Sequence, residues 1–482
     1  MKTINVKNKM FLSEVFDRLP SKCLLNKGLT GCGGTYCELN SKRDSIILVP
    51  TIELVKNKLK NEFFGLYGKI TNTALSDYCN SNIQYKKIIA TYDSLPRIMQ
   101  VIPKYYEYFL LIDEYHVLFN QYGFRNSAIT FILNNYKSFN DYCFMSATPL
   151  EEDAILEEIK QLNRITISWK NAVSVNLDIH NVYFTIKELL KIINEDTTCN
   201  YHIFLNSVKT IRELLPYINK DYKIVCSPLA KKGYANLNYG STLDKPKKYN
   251  FYTACSFEGT DIYDPIGKTI ILGDINIATT ILDISTIVRQ ICGRLRDSVY
   301  KNQITMILNA SKHRYASKTP QQFKDEVIQN VQDGKTVEQQ FINATDKRLE
   351  LRKYSPEAYN SFYVNRFADK LYYDDNLRKI DEYNYKLVNE IYQNSLSVVN
   401  NVNLNNMQGK VVKNCTSPSW ILNNLYKREY TYEELVELFT PIFIAHGMCW
   451  NKHKSISLYF PEHMKMRRTI DGKKQTIFRF NI

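Results

Sequence analysis

Leu110-Leu111-Ile112-Asp113-Glu114-Tyr115-His116 is an apolar run that stops abruptly at two carboxylates and a histidine. Its aliphatic residues do not alternate with polar ones, which is how a strand buried on both faces reads. Runs of the same kind recur on either side: SIILVP (45–50), KIIA (87–90), YCFM (142–145), HIFL (202–205), KIVC (223–226) and TIIL (269–272). Helical patterns lie between them. From residue 20 to about 310 the chain therefore predicts parallel sheets covered by helices, in two halves that join near residues 165–180. Open sheets of this type bind ligands at the carboxyl ends of their strands, and Asp113 and Glu114 stand at such an end.

A chain of 482 residues exceeds a single core, so two to four domains are expected. With 44% hydrophobic and 23% charged residues, the composition is globular and excludes a disordered chain. The net charge of +14 favours a polyanionic partner such as nucleic acid; a solvated basic surface is the alternative. Eleven cysteines include no C-x-x-C pair, and Cys143 and Cys226 sit inside apolar runs, which suits a reducing compartment. The charged opening MKTINVKNKMFLSEVFDRL has no signal-peptide core, and no apolar stretch approaches the roughly 20 residues that span a bilayer. A soluble, cytoplasmic protein without a membrane partner is expected. Heavy Asn, Lys, Ile and Tyr use suits an AT-rich viral, phage or mobile-element genome.

Gly28-Leu29-Thr30-Gly31-Cys32-Gly33-Gly34-Thr35 follows the short apolar run CLL (23–25). Against the phosphate-binding pattern G-x-x-x-x-G-K-[ST], Gly28, Gly33 and Thr35 are in register, but Gly34 stands where the lysine belongs. The backbone N–H groups of such a loop cradle phosphates and its hydroxyl ligates Mg²⁺. A glycine-rich turn between strand and helix has purely structural uses as well. The strand ending in Asp113 and Glu114 has the form of a Walker B site, where the aspartate holds Mg²⁺ and the glutamate polarises the attacking water.

Further segments follow in one order, and together they resemble superfamily 2 helicases. The family's DEAD or DEAH motif has its counterpart in Asp113-Glu114-Tyr115-His116. VPTIEL (49–54), with Pro50 and Thr51, and ATYDSL (90–95), with Thr91, resemble elements that contact the nucleic-acid backbone. Ser146-Ala147-Thr148-Pro149 is similar to the SAT motif that couples nucleotide state to strand binding, and His116 shares that coupling role. FLNS (204–207), with Asn206, and TACSFEGTDI (253–262), with Thr253, Gly259 and Asp261, resemble motifs of the second lobe. QICGRLR (290–296) is similar to the arginine motif and supplies Gln290, Arg294 and Arg296. The resemblance spans residues 20–310. It implies an α/β fold of two tandem RecA-like P-loop lobes, 1–168 and 169–312, with ATP and Mg²⁺ as cofactors. The nucleotide would lie at Gly28, Gly31, Gly33, Gly34, Thr35, Gly259 and Asp261, with Mg²⁺ on Thr35 and Asp113. Asp113, Glu114, Gln290, Arg294 and Arg296 would carry hydrolysis. The work implied is movement on, or remodelling of, DNA or RNA, a single strand favoured, alongside other replication proteins.

Two departures qualify this. Gly34 removes the ammonium that neutralises the β- and γ-phosphates, and the nearby Lys22 and Lys27 are both misplaced for the usual geometry. The family's second arginine falls three residues after the first, where this chain has Asp297, so the choice between Arg294 and Arg296 stays open. The alternative is a helicase-like scaffold that binds nucleic acid without useful turnover, in a replication or packaging assembly.

Beyond the resemblance, residues 313–418 predict a helical accessory region and linker. Ser355-Pro356-Glu357 reads as a helix start, and the Asn-rich 396–418 as a linker or long loop. Residues 419–482 predict a small α+β module of winged-helix type, with a capping box at Thr431 and Glu434 and a hairpin turn at Asp471-Gly472. Arg467, Arg468, Lys473 and Lys474, with Trp450, Tyr459 and Phe460 nearby, make it a candidate nucleic-acid surface; a solvated basic face is the other reading. His446, Cys449, His453 and His463 do not follow a familiar zinc spacing, and no zinc is expected there.

Overall fold

The computed structural model describes residues 2–7, 10–60, 62–170, 174–275, 277–310, 318–353, 355–415, 429–445, 465–470 and 473–479. Its first lobe holds β1 (Lys2–Val6), β2 (Cys23–Asn26), β3 (Ser45–Val49), β4 (Phe64–Leu66), β5 (Lys87–Thr91), β6 (Phe109–Asp113), β7 (Asp141–Ser146) and β8 (Asn163–Trp169). These form one sheet in the order β1-β8-β2-β7-β6-β3-β5-β4, every pair parallel. The period of two sorts its apolar residues between two cores. Ile46, Leu48, Leu110 and Ile112 enter one, while Ile47, Val49, Leu111 and Met145 enter the other. Each such buried aliphatic side chain contributes about 1.5–3 kcal/mol, which is why these runs show no polar alternation.

The second lobe repeats the plan with β9 (Asn176–Val182), β10 (Asn200–Phe204), β11 (Tyr222–Val225), β12 (Tyr249–Tyr252), β13 (Gly267–Leu272) and β14 (Gln303–Leu308). They are again parallel, in the order β11-β12-β10-β13-β14-β9. The two expected α/β lobes are present, and the chain passes from one to the other between Trp169 and Asn176.

The accessory segment departs from its expectation in two places. Within the stretch read as helical, β15 (Val364–Phe367) and β16 (Lys370–Tyr373) form an antiparallel hairpin. Its turn uses Ala368 at φ +51° rather than a glycine, so no turn signal marks it. The segment read as a loop instead forms the helix Ser395–Leu404 and a strand, β17 (Gln408–Cys415), which pairs in parallel with β9 and extends the second sheet. Asn394, just before that stretch, caps the helix by accepting from the Ser397 N–H at 2.9 Å, and within it Asn405 Nδ2 donates to the Asn401 carbonyl at 2.8 Å, while Val398 and Val402, one turn apart, are fully buried.

This segment straddles both lobes. Val327, Tyr363 and Leu377 join the core of the first lobe. Leu387, Ile391, Tyr392, Val398, Val402 and Met407 join the core of the second. The crossing lies where the helix Asp375–Lys386 runs into a π-helical turn, Leu387–Ile391. Just before it, the Tyr383 ring meets Phe119 edge-on at 5.4 Å, and its hydroxyl lies 3.4 Å from Ser285 of the second lobe.

At the end of the chain β18 (Glu429–Thr431), the helix Tyr432–Ala445, β19 (Lys465–Ile470) and β20 (Lys473–Arg479) make an antiparallel sheet, ordered β18-β20-β19, with one helix. The capping box forms: the Thr431 N–H donates to Glu434 Oε2 at 2.7 Å, and the Glu434 N–H to Thr431 Oγ1 at 3.2 Å. Trp450, Tyr459, Phe460, the Asp471-Gly472 turn and the His446, Cys449, His453, His463 group lie outside the described residues. Among the described residues no helix is long and apolar enough to cross a membrane.

Candidate active site

Strand β2 delivers the glycine loop. Gly28, Gly31 and Gly33 all have φ near +77°, from +76° to +78°, a backbone that side chains rarely adopt. Gly28 turns the chain beneath β8, where a Cβ would stand 2.4 Å from the Ile167 carbonyl. It therefore serves the turn and does not line the cleft. Gly31, Gly33, Gly34 and Thr35 do line it, in a space of about 360 Å³ between the lobes. α1 (Gly34–Leu39) begins immediately after.

Lys27 reaches this cleft, contrary to the expectation that it is misplaced. Its side chain is 7% exposed, and Nζ lies 3.0 Å from Glu114 Oε1 and 3.6 Å from Asp113 Oδ1. The backbone leaves it little freedom. The Lys27 N–H donates to the Ser146 carbonyl at 2.9 Å, and the Lys27 carbonyl accepts from Trp169 Nε1 at 2.7 Å. Burial alone would lower its pKa, but the charges of Asp113 and Glu114 outweigh that, so the ammonium keeps its proton beyond the ordinary lysine range.

Asp113 and Glu114 end β6 and the turn after it. Thr35 Oγ1 donates to Asp113 Oδ2 at 2.5 Å, placing one hydroxyl and one carboxylate oxygen side by side. These hard donors fit Mg²⁺, which would draw its remaining ligands from phosphates and water. Glu114 has φ +54°, and Tyr92 pins that bend by donating its hydroxyl proton to the carbonyls of Asp113 at 2.6 Å and Glu114 at 3.2 Å. His116 is buried, 2.9 Å from Ser146 Oγ through Nδ1, and is pushed down to about 3 by burial and by the Lys27 charge. It is neutral at physiological pH.

The second lobe closes the site. Gln290 Nε2 donates to Glu114 Oε2 at 2.8 Å and to Thr148 Oγ1 at 3.2 Å, so the DEYH, SAT and arginine segments meet through one amide. The two arginines differ. Arg294 is fully buried and spends its N–H groups on the Gln290 carbonyl (2.7 Å), Gln290 Oε1 (3.0 Å) and the Thr260 carbonyl (3.0 Å). Burial and then the neighbouring Arg296 pull it down to about 10. Arg296 lies against the phosphate loop: a Cβ on Gly31 would fall 2.1 Å from its Nη1. It is held by Asp261 Oδ1, 2.7 Å from Nε, and Asp261 also meets Lys58 of the first lobe at 3.4 Å. Burial opposes ionisation of Asp261, yet Lys58 and Arg296 bring it down to about 2. Gly259 abuts Leu54, with a hypothetical Cβ 2.6 Å from either Leu54 methyl group.

Sequence reasoning set Lys27 aside and missed two further residues. Lys58 was hidden because no motif register points to it. Glu258 is buried within the TACSFEGTDI segment; its Oε2 has no hydrogen-bond partner among the described residues, and burial and the Glu114 charge push it up to about 8.

The residues expected on the nucleic-acid backbone lie at the carboxyl ends of strands: Pro50 after β3, Thr91 ending β5, Asn206 after β10 and Thr253 after β12. Their polar groups are already engaged. Thr51 Oγ1 caps α2 (Ile52–Lys58) by accepting from the Leu54 N–H at 3.2 Å, and the Pro50 carbonyl accepts from Arg125 at 2.8 Å. Thr91 is 3.0 Å from Ser94 Oγ, Asn206 donates to the Thr279 carbonyl at 2.9 Å, and Thr253 to the Val225 carbonyl at 3.2 Å. In the terminal sheet Arg467 and Arg468 are exposed on β19, with Arg468 paired to Glu429 at 2.9 Å, and Lys473 and Lys474 open β20.

No protein-family model matches the chain, and no curated protein matches it significantly. Among solved structures it is similar to S. cerevisiae Dbp5 bound to RNA and ADP BeF3, at 14% identity and TM-score 0.41 over 59% of this chain and 78% of that one. It is also similar to a hypothetical ATP-dependent RNA helicase from Sulfolobus tokodaii, at 18% identity and TM-score 0.23 over 60% and 87% of the two chains. E. coli DExH-box NTPase HrpB gives 14% identity and TM-score 0.36 over 68% and 43%.

Proposed function

We propose that this chain is a nucleic-acid-stimulated ATPase of the superfamily 2 helicase type, which moves on or remodels DNA or RNA. The observation that carries the reading is the meeting of both lobes on one cleft: Thr35, Asp113 and Glu114 from one side, Gln290 and Arg296 from the other. Each group suits a task in phosphoryl transfer. Thr35 and Asp113 would hold Mg²⁺, which neutralises charge on the β- and γ-phosphates. Glu114 accepts a hydrogen bond from the attacking water and orients it, while Gln290 fixes the carboxylate from the opposite lobe. Arg296, standing over Gly31, offers its guanidinium to the charge that develops on the transferred group; Arg294 positions Gln290. Hydrolysis then loosens the Gln290 and Arg296 contacts, so that the lobes separate and the grip on a strand across them changes. The net charge of +14 supports a polyanion as that strand.

Steady-state ATP hydrolysis, with and without single-stranded DNA or RNA, tests the reading. Wild type is expected to hydrolyse ATP faster with one of them. Glu114→Gln and Arg296→Ala should each lower kcat by roughly 10²-fold or more. A wild type no faster than Glu114→Gln under every condition makes the protein a binding scaffold instead.

A further inference from the structure

We propose that Lys27 is the phosphate-binding lysine of this site, supplied from the start of the glycine loop instead of its end. The inference rests on the ATPase reading and adds the residue that grips the β- and γ-phosphates.

The space at Gly34 explains the exchange. A Cβ on Gly34 would stand 3.1 Å from Lys27 Cδ, 2.6 Å from Met145 Sδ and 2.9 Å from Met145 Cε. The end of Met145 and, next to it, the stem of Lys27 thus crowd the place of a Cβ at position 34. Glycine there leaves room for a lysine arriving by another route. Unlike Gly28, Gly31 and Gly33, Gly34 has no positive φ, so backbone conformation is not what demands glycine.

The charge arrives where it is needed. Nζ lies 3.0 Å from Glu114 Oε1 and beside Asp113, while Lys27 and Thr35 line the same cleft. An ammonium has three donors, and one held by Glu114 leaves others for phosphate oxygens. The backbone contacts to Ser146 and Trp169 fix where the stem begins, so the ammonium is placed before substrate arrives. Without substrate, the same ammonium offsets the repulsion between Asp113 and Glu114 at the end of β6.

The test compares ATP and AMP binding to the full chain, with hydrolysis measured in parallel. Lys27→Met keeps the stem and removes the charge. It is expected to weaken ATP binding roughly 10- to 100-fold, the worth of a charge-assisted hydrogen bond, and to leave AMP affinity within about twofold, since AMP lacks the β- and γ-phosphates. A lysine exchange gives the second arm. Gly34→Lys alone should impair ATP binding because Met145 and the Lys27 stem crowd its Cβ, and Lys27→Ala/Gly34→Lys, with Met145 free to move into the space the stem leaves, should bind ATP roughly tenfold better than Lys27→Ala. Wild type that binds and hydrolyses ATP while Lys27→Met matches it overturns the role of Lys27 and leaves the ATPase reading standing. Equal loss of ATP and AMP binding in Lys27→Met, with no gain in the double variant, also overturns it. Wild type that binds no ATP at all removes both.

Discussion

Glu114 occupies a left-handed backbone conformation, φ +54°, that costs a non-glycine residue about 1–3 kcal/mol and persists only where the surroundings hold it. Tyr92, bonded to both flanking carbonyls, is that hold. Glu258 bears a cost of another kind, a fully buried carboxyl with an oxygen that finds no partner among the described residues. Its folded-state pKa is raised to about 8 from an ordinary 4.5 by burial and by the Glu114 charge. Between those values the folded chain holds a proton that the unfolded chain has released. The stability due to this group is therefore full below pH 4.5 and lost as pH rises to about 8. Glu258→Gln, which mimics the protonated form, should gain Tm relative to wild type as pH goes from about 5 to about 8, by a few degrees in a scanning melt. A gap that does not change with pH would mean that Glu258 does not titrate in that window.

Strands were the legible elements, because a sheet buried on both faces needs unbroken apolar runs and those cannot hide in a sequence. The runs at 45–50 and 87–90 became β3 and β5 with little shift at their ends. The elements that escaped give weak patterns: β17 is a peripheral strand, the β15–β16 hairpin turns on an alanine, and the helix Ser395–Leu404 fully buries Val398 and Val402, with Val399 half-buried beside them. In the site, residues within ordered motifs were readable, whereas Lys27 was not. A motif register assumes that a charge comes from the usual position, but what matters physically is where the ammonium ends up. The same packing makes the late helix integral to the second lobe. Val402 Cγ1 would lie 3.1 Å from a Cβ on Gly409 of β17, a close approach of helix and strand. Val402→Ala should lower the unfolding free energy of that lobe by about 2 kcal/mol in a urea titration. An unshifted transition would place the helix outside its core.

At the scale of the molecule the lobes are joined twice, once between Trp169 and Asn176 and again at Leu387–Ile391, where the accessory segment leaves one core for the other. In the proposed cycle the cleft contacts of Gln290, Arg296 and Lys58 form and part while both connections stay intact. Energy transfer between dyes on Asn57 and Tyr263, which line the cleft from different lobes, should change on ATP binding. Dyes flanking the two connections should hold their distance, and a change of equal size at both places would count against the double tether. Two bodies held by one flexible link tumble through many mutual orientations, and most of those are useless for catalysis. Held at two points, they keep one rotation, about the line through those points, as a door does on a pair of hinges. The accessory segment thereby turns a search in several dimensions into a swing along one.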